Sequence, residues 1–425
     1  MRVLVVGGGG REHALAWRLK RSVSVTDVHA APGSAAMARL ATCHDVAADA
    51  VDAQVALAKH IAAELVVIGP EAPLVAGLAN RLRAEGIATV GPDSAGAELE
   101  GSKAFAKEIM NAAGVPTAAH ATFTDMQSAL DYLAQGEGPI VIKADGLAAG
   151  KGVTVATNRV EAAAAVADCF EGRFGQAGAR VVIEECLTGT ELSFIALCDE
   201  SGIVPLASSQ DHKRLADGDE GPNTGGMGAF SPSPLCDDDL THRILAEVME
   251  PTLAELKRRG IIFRGFLYAG LMVDGDVCKV LEFNVRCGDP ETQVLMARCE
   301  GDLGLWLLAT ARGELGLLKS SFAHGPAWSQ GAAVGVTLAS RGYPVSSEKG
   351  IVIDGVDQVE QADVVVFHAG TRAGCSGWET NGGRVLTVCA TAKTMDDAAK
   401  AAYAAVGQIH FDGMQFRRDI ARKRV

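Results

Sequence analysis

Short apolar runs alternate with amphipathic, alanine-rich segments over the first hundred residues. Residues 3–6 and 65–68 are β-branched runs that predict buried strands, and residues 14–20 predict a helix. Strands that alternate with helices in this way are typical of a parallel α/β sheet. The pattern predicts an N-terminal parallel α/β domain over residues 1–101.

The pattern changes after residue 101, where strand-like runs lie closer together and are joined by tight turns. These runs predict a mostly antiparallel lid over a second site, and they lie at 139–143, 152–156, 181–185 and 192–197. We place this mobile lid at about 117–190, within a central domain over 102–325. A further strand pair, a polar loop and a helix follow, at 265–273, 277–283, 284–293 and up to 308.

A third region begins past residue 325. Strands are predicted at 332–338, 364–367 and 384–389, and a helix at 395–409. We interpret residues 326–425 as a small C-terminal α+β domain. A length of 425 residues agrees with two or three domains.

Composition narrows the class of protein. A formal net charge of −13 argues against a protein that covers nucleic acid or an anionic membrane. The 10 cysteines show no C-x-x-C pair and no zinc spacing, which is typical of reduced cytosolic thiols. With no signal peptide before the first strand and no membrane-length apolar run, we expect a soluble cytoplasmic protein. We further expect a monomer, with a weak dimer as the alternative.

The first glycine-rich turn covers residues 7–10. It does not fit the dinucleotide motif G-x-G-x-x-G, because Glu12 or His13 stands at the third glycine position. What remains is a helix N-terminus that can offer N–H groups to a phosphate, or a tight turn that serves packing alone.

A second glycine-rich segment, 143–153, looks like a Walker A loop but is one residue short between its glycines. Gly152 also stands where Ser or Thr must reach Mg²⁺. The segment lies between two predicted strands, so a flap over a triphosphate fits better, with Lys143 as a phosphate ligand. The alternative is a flexible surface hairpin.

The strongest local pattern is the run of residues 280–293. Glu282 and Asn284 alternate along a predicted strand, so both point to one face and can give Mg²⁺ two hard oxygen ligands. Arg286 follows at the next alternate position and can hold a carboxylate or a phosphate. A structural ion pair between Glu282 and Arg286 is the alternative interpretation, but it leaves Asn284 unexplained.

Two weaker patterns accompany this run. Residues 181–187 predict a strand leading into a linker that can pair with adenine through its backbone, and Glu191 can accept ribose hydroxyls. Residues 211–214 and 221–228 form a long polar, glycine-rich stretch, which we interpret as a functional loop. His212 in this stretch is expected to order the loop or to face the substrate.

The chain resembles the ATP-grasp ligases, and within them the branch that joins glycine to 5-phosphoribosylamine. The resemblance covers essentially the whole length and rests on motifs at 9–17, 69–74, 100–103, 143–153, 210–214, 221–228 and 288–293. The family pattern has Phe where this chain has Cys287, a difference expected to change packing more than chemistry. The resemblance implies the ATP-grasp architecture and a role in purine biosynthesis.

The resemblance also implies a role for each motif. Nucleotide binding is expected from Lys103, Lys143, Gly150, Lys151, Gly152, Glu184, Glu185, Cys186, Leu187 and Glu191, and Mg²⁺ or Mn²⁺ binding from Glu282 and Asn284. Substrate binding is expected from Gly9, Gly10, Glu71, Asn223, Thr224, Gly225 and Arg286. Catalytic roles are expected for Arg286, Lys143 and Asp211, through a glycyl phosphate intermediate.

Two alternatives stay open from the sequence. One is a different ATP-grasp enzyme, such as a carboxylase or a ligase for another amino acid, against which the 221–228 and 288–293 motifs argue. The other is a nucleotide-binding regulatory protein without turnover, against which the set of Lys143, Glu282, Asn284 and Arg286 argues.

Overall fold

The structure is a computed structural model that describes residues 1–147, 152–321, 325–375 and 377–422. In chain order its strands are β1 Arg2–Gly7, β2 Asp27–Pro32, β3 Thr42–Cys43, β4 Leu65–Ile68, β5 Ala88–Val90, β6 His120–Phe123, β7 Ile140–Ala144, β8 Val153–Ala156, β9 Val181–Glu185, β10 Thr190–Asp199, β11 Gly202–Pro205, β12 Gln210–Asp211, β13 Arg214–Ala216, β14 Glu220–Asn223, β15 Gly228–Ser231, β16 Gly265–Asp274, β17 Val277–Asn284, β18 Ala332–Ala339, β19 Val352–Ile353, β20 Val364–His368, β21 Thr371–Gly374, β22 Gly377–Thr380 and β23 Arg384–Ala392. Its α-helices are α1 Gly10–Leu19, α2 Val51–His60, α3 Glu71–Val75, α4 Leu78–Ala84, α5 Ser94–Gly101, α6 Lys103–Ala113, α7 Met126–Leu133, α8 Arg159–Phe170, α9 Asp238–Ile244, α10 Glu250–Arg258, α11 Glu291–Arg298, α12 Leu303–Arg312, α13 Leu315–Ser321, α14 Val356–Val359 and α15 Met395–Val406.

The N-terminal sheet has the strand order β3-β2-β1-β4-β5, and its neighbouring strands pair in parallel. This confirms the predicted parallel α/β pattern. The strand order reverses between β1 and β4, the position at which ligands bind in open α/β sheets. Helix α3, which begins at Glu71, starts close to this position.

The lid sheet has the order β6-β9-β7-β8 and is antiparallel, as predicted. The prediction that the run at 192–197 belongs with these strands is wrong. That run is β10, which lies in a central sheet of order β11-β10-β16-β17. Its side chains are buried along the strand because they pack in the core shared with the N-terminal sheet, a tertiary contact that strand spacing does not reveal.

The C-terminal sheet has the order β12-β15-β18-β23-β20 and packs against α15. Two of its strands, β12 and β15, border the stretch that the sequence predicts as a loop and share only Asp211 and Gly228 with it. The β13–β14 hairpin lies between them, so the stretch is partly regular. Its strands are short and rich in glycine and charge, and they lack the apolar alternation that predicts a strand.

The single helix predicted up to residue 308 is in fact two helices, α11 and α12. Cys299 has an extended backbone that ends α11. Asp302 caps α12 by accepting a hydrogen bond from the Leu305 N–H, at 3.2 Å. The apolar pattern continues across this break, which explains the wrong prediction.

Apolar packing joins the N-terminal and central sheets into one core. Val6 and Ile68 lie in the same buried cluster as Phe194 and Leu267. The sheets that flank the candidate site are therefore held together by hydrophobic burial. Among the helices of the described residues, none combines the length and apolar character needed to cross a membrane.

Candidate active site

A cavity of about 470 Å³ lies between the lid sheet, the central sheet and helices of the N-terminal region. Its lining brings together most of the predicted site residues: Glu71, Lys103, Lys143, Gly152, Glu184, Glu185, Cys186, Leu187, Glu191, Asp211, Asn223, Thr224, Gly225, Glu282, Asn284 and Arg286. These residues are far apart in the sequence, so the fold assembles them into one site. Gly150 and Lys151 lie outside the described residues.

One end of the cavity, which we call the lysine end, is lined by Lys103 and Lys143 with Glu184 and Glu282, and the buried Lys107 contacts Glu184 from outside the lining. Glu184 is buried, and one of its oxygens lies 3.0 Å from Lys143 Nζ and 3.2 Å from Lys107 Nζ. Lys143 Nζ also donates to the Leu281 carbonyl at 2.9 Å. The lysines outnumber the carboxylates that pair with them, so this end is suited to further anionic groups.

Two details of this end bear on nucleotide binding. Oε1 of Glu184 is buried without a hydrogen-bond partner among the described residues, so it can accept from a ligand. Burial lowers the pKa of Lys107 to about 8; Lys143 acts in the same direction, and Glu184 opposes both. Glu184 thus contacts the lysines directly, a role that the sequence did not suggest.

The candidate metal ligands Glu282 and Asn284 lie at the end of β17, two residues apart. Glu282 Oε2 is 3.4 Å from Lys103 Nζ. Burial raises the pKa of Glu282, but Lys103, Lys213 and Lys143 outweigh this and lower it to about 2, so the group is ionised at neutral pH. The described residues contain no group of three or more His, Cys, Asp or Glu arranged to hold a metal. A carboxylate and an amide oxygen suit Mg²⁺, which keeps water and substrate phosphates among its ligands.

The opposite end, which we call the arginine end, holds Arg11, Arg286 and Arg384 with Glu71, Glu100 and Asp289. Arg286 Nη2 is 2.9 Å from Glu100, and its Nε is 3.3 Å from Glu71. Burial alone would lower the pKa of Arg286, but Glu100 and Glu71 outweigh it, so the pKa is raised. Glu71, predicted to contact substrate, therefore pairs with Arg286 as well as lining the cavity.

Asp211 and Glu191 lie between these two ends together with Lys213. Lys213 Nζ is 2.7 Å from Glu191 Oε2. Burial raises the pKa of Asp211 to about 8, against the opposing charge of Lys213 and with further help from Glu291. Burial therefore favours the protonated form of Asp211, which can donate a hydrogen bond.

The first glycine turn is not brought to the cavity lining. The Gly9 N–H donates to Glu12 Oε2 at 2.8 Å, so the side chain of Glu12 caps this helix N-terminus. A Cβ at Gly69 would lie 2.2 Å from Glu12 Oε1, which explains a glycine at that position. The neighbouring Arg11 does line the cavity. The substrate contacts predicted for Gly9 and Gly10 stay a prediction.

Several residues on the lining were not among the predicted site residues. They are Arg11, Glu100, Lys213, Tyr268, Asp289, Glu291 and Arg384. Most lie inside motifs already recognised, so their position there was a usable signal. Arg384 begins β23 in the C-terminal region and shows no local pattern that marks it.

Comparisons with known proteins agree with this geometry. Residues 1–100 match the phosphoribosylglycinamide synthetase N domain, residues 101–292 its ATP-grasp (A) domain and residues 333–423 its C domain. The phosphoribosylamine–glycine ligase of Rhizobium meliloti is 48% identical over 425 residues, which cover 100% of this chain and 99% of the relative.

Solved structures give the same result. The crystal structure of phosphoribosylamine–glycine ligase from Thermotoga maritima matches with a TM-score of 0.85 and 34% identity, over 99% of this chain and 100% of that one. A biotin carboxylase domain of the Hydrogenobacter thermophilus 2-oxoglutarate carboxylase matches with a TM-score of 0.71 and 19% identity, over 98% and 91%, and shares the fold alone. The predicted ATP-grasp architecture is confirmed, and the chain belongs to the phosphoribosylglycinamide synthetase family of ATP-grasp ligases.

Proposed function

We propose that this chain uses ATP to join glycine to 5-phosphoribosylamine, giving glycinamide ribonucleotide, ADP and phosphate, a step of purine biosynthesis. The observation that carries the proposal is one cavity that is lined by Lys103 and Lys143 at one end and by Arg286, held between Glu71 and Glu100, at the other. The choice of glycine and 5-phosphoribosylamine as substrates follows the full-length relatives, which are named phosphoribosylamine–glycine ligase. ATP binding agrees with the ATP-grasp family.

The lysine end is the nucleotide site in this proposal. Lys103 and Lys143 hold the phosphates of ATP, and the flap that includes Gly150, Lys151 and Gly152 covers them. Glu184 and the backbone of Cys186 and Leu187 contact adenine, and Glu191 accepts hydrogen bonds from the ribose. The free Oε1 of Glu184 supports an adenine contact there, because a buried acceptor without a partner is costly until a donor arrives.

Glu282 and Asn284 are the proposed ligands of Mg²⁺ or Mn²⁺. When bound, the ion would offset negative charge on the ATP phosphates. The low pKa of Glu282 supports this assignment, because the carboxylate needs no deprotonation to bind a cation.

The chemistry starts from the poor reactivity of a carboxylate. A glycine carboxylate oxygen attacks the γ-phosphorus of ATP, the bond to the β,γ-bridging oxygen breaks, and ADP leaves. Lys143 and Arg286 offset the charge on the transferring phosphoryl group. The amine of phosphoribosylamine then attacks the carbonyl carbon of glycyl phosphate, phosphate leaves, and the nitrogen gives up a proton.

The remaining residues bind and orient the two acceptor substrates. The 223–225 segment, Asp211 and Arg286 orient glycine and the amine, and Glu71 contacts the phosphoribosyl part together with Gly9 and Gly10. Closure of the flap excludes water, which would otherwise hydrolyse the acyl phosphate. Water exclusion matters because an acyl phosphate that reacts with water wastes ATP.

An omission assay tests this proposal. ADP release is measured with ATP, glycine and phosphoribosylamine, and again with each acceptor left out. We expect one glycinamide ribonucleotide for each ADP and transfer of an ¹⁸O label from the glycine carboxylate into phosphate. ADP release that does not depend on glycine, or no release with all three substrates, would refute the proposal.

A further inference from the structure

The peptide of Gly225 is held at both of its polar groups by the C-terminal region. Its N–H donates to the hydroxyl of Tyr343 at 2.8 Å, and its carbonyl accepts from Arg384 Nη1 at 2.7 Å. Tyr343 follows β18 and Arg384 begins β23. Two side chains from one region thus fix the orientation of a single peptide in the 223–226 segment.

The same guanidinium reaches a second loop. Arg384 Nη1 donates to the Asp289 carbonyl at 2.6 Å and lies 3.3 Å from Asp289 Oδ1. Asp289 lies at the turn that leads into α11, whose first residue is Glu291. Arg384 therefore connects the 223–226 segment to the turn at 289–290.

The two loops approach each other closely at Gly226, where a side chain would not fit. At the neighbouring Gly225, a Cβ would lie 3.1 Å from Arg384 Cζ and would crowd the end of that side chain. A Cβ on Gly226, whose φ of +114° already favours glycine, would lie 2.4 Å from Pro290 Cδ. The glycines allow the close contact, and the hydrogen bonds of Arg384 and Tyr343 fix its geometry.

Both loops face the active-site cavity. Asn223, Thr224, Gly225, Asp289 and Arg384 line it. The charge of Arg384 is balanced by Asp289, and its side chain is 22% exposed. A partly exposed, charge-balanced group adds little to the overall stability of a protein, so selection for stability alone explains it poorly.

We propose that Arg384 and Tyr343 are positioning residues that hold the 223–226 segment against the 289–290 turn. This contact orients glycine and phosphoribosylamine so that the amine lies next to the glycine carboxyl group. This inference rests on the proposed function. Since the contacts lie at the arginine end, their loss affects the acceptor substrates and leaves ATP binding unchanged. Reacting groups need placement to a fraction of an ångström, so a loosened loop costs rate as well as affinity.

The test compares Arg384→Gln, Arg384→Lys and Tyr343→Phe with Arg372→Gln as a control. Arg372 forms an exposed ion pair with Glu379 in the same region, at 2.8 Å, and does not line the cavity. For each variant, kcat/KM for glycine and for phosphoribosylamine, the Kd of an ATP analogue and the melting temperature are measured. This separates an effect on the acceptors from an effect on folding.

We expect Arg384→Gln to lower kcat/KM for both acceptors roughly tenfold to a hundredfold, as for loss of hydrogen bonds from a charged donor. Tyr343→Phe, which removes one neutral acceptor, should lower it roughly twofold to tenfold. Arg384→Lys should recover only part of the loss, since one ammonium does not reproduce the planar fork. The Kd of the ATP analogue should stay within about twofold in all variants, a ratio worth under half a kcal/mol.

Unchanged kcat/KM in Arg384→Gln and Tyr343→Phe would overturn the inference. So would a loss of ATP-analogue affinity as large as the loss for the acceptors. If Arg384→Gln does not fold, Tyr343→Phe decides alone. A wild-type protein that binds the ATP analogue and fails to ligate glycine would refute the proposed function instead, so the two failures are distinguishable.

Discussion

The two ends of the cavity handle charge differently. At the lysine end, Lys107 and Lys143 share the single carboxylate of Glu184. At the arginine end, the single guanidinium of Arg286 is shared by Glu71 and Glu100. The lysine end therefore keeps positive charge that Glu184 does not balance, whereas the positive charge of Arg286 is fully balanced by its two carboxylates.

This difference indicates that the lysine end binds the ligand and that the arginine end stabilises the surrounding structure. Unmatched lysines gain from an added anion, so the lysine end is completed by its ligand. Arg286 is already shared by two carboxylates, so it gains less from an added anion than the lysines do, and it also holds Glu71 and Glu100 in fixed positions. Substitutions at the lysine end should therefore change ligand affinity, and substitutions at the arginine end should change stability or geometry.

The largest expected effect comes from Glu282→Gln. Loss of a charged metal ligand should lower kcat by roughly 10³-fold or more, since metal charge stabilisation is worth several kcal/mol. The steady-state rate of ADP release measures this, with the melting temperature as a check on folding. Glu220→Gln, an exposed residue of β14, is the matched control. Wild-type activity in Glu282→Gln would remove the metal assignment.

Arg286→Met tests the supporting role of the arginine end. It leaves Glu100 and Glu71 without their cation, so the free energy of unfolding should fall by about 3–5 kcal/mol. Denaturant titration measures this. Lys103→Met should cost clearly less, because Lys143 and Lys213 also lie near its partner Glu282. Equal losses of stability in the two variants would contradict the contrast between the ends.

Lys143→Met tests the binding role of the lysine end. The Kd for ATP should rise roughly tenfold to a hundredfold, the range for a charge-assisted hydrogen bond. Lys59→Met, which removes an exposed ion pair with Glu85, should leave the Kd unchanged. The double variant Lys143→Met/Glu184→Gln also removes the carboxylate that pairs with Lys143, so it shows whether the loss comes from Lys143 itself or from its former partner. If ATP affinity is unaltered in both, the phosphate assignment fails.

The smallest expected effect is a pH dependence at Lys107. Its pKa is about 8 in the folded protein and near 10.5 when unfolded, so between these values the unfolded chain binds more protons. The free energy of unfolding should then rise with pH, by at most about 2 kcal/mol between pH 8 and 9.5. Denaturant titrations of wild type and Lys107→Met across this range measure it. A slope that persists in Lys107→Met would assign it to another group.

Local patterns predicted much of the lysine end. The alternation of Glu282 and Asn284 along one strand placed these two side chains on a common face, and Lys143, near the end of another strand, was predicted separately as a phosphate ligand. The central strands of the N-terminal sheet and three strands of the lid sheet were also predictable, because each is a compact apolar run. These features depend on neighbours in the chain, which the sequence displays directly.

Contacts between residues far apart in the sequence could not be predicted from local patterns. Glu100 contacts Arg286 from 186 positions away, and Arg384 contacts Gly225 from 159 positions away. In each case the partner is decided by how the sheets pack, and no spacing rule reports it.

A crystal structure with a non-hydrolysable ATP analogue, Mg²⁺ and glycine tests the central claim most directly. The account predicts the triphosphate against Lys103 and Lys143, with the cation on Glu282 and Asn284 and glycine toward Arg286. A triphosphate bound elsewhere, with the side chains of Glu282 and Asn284 directed away from it, would contradict the account.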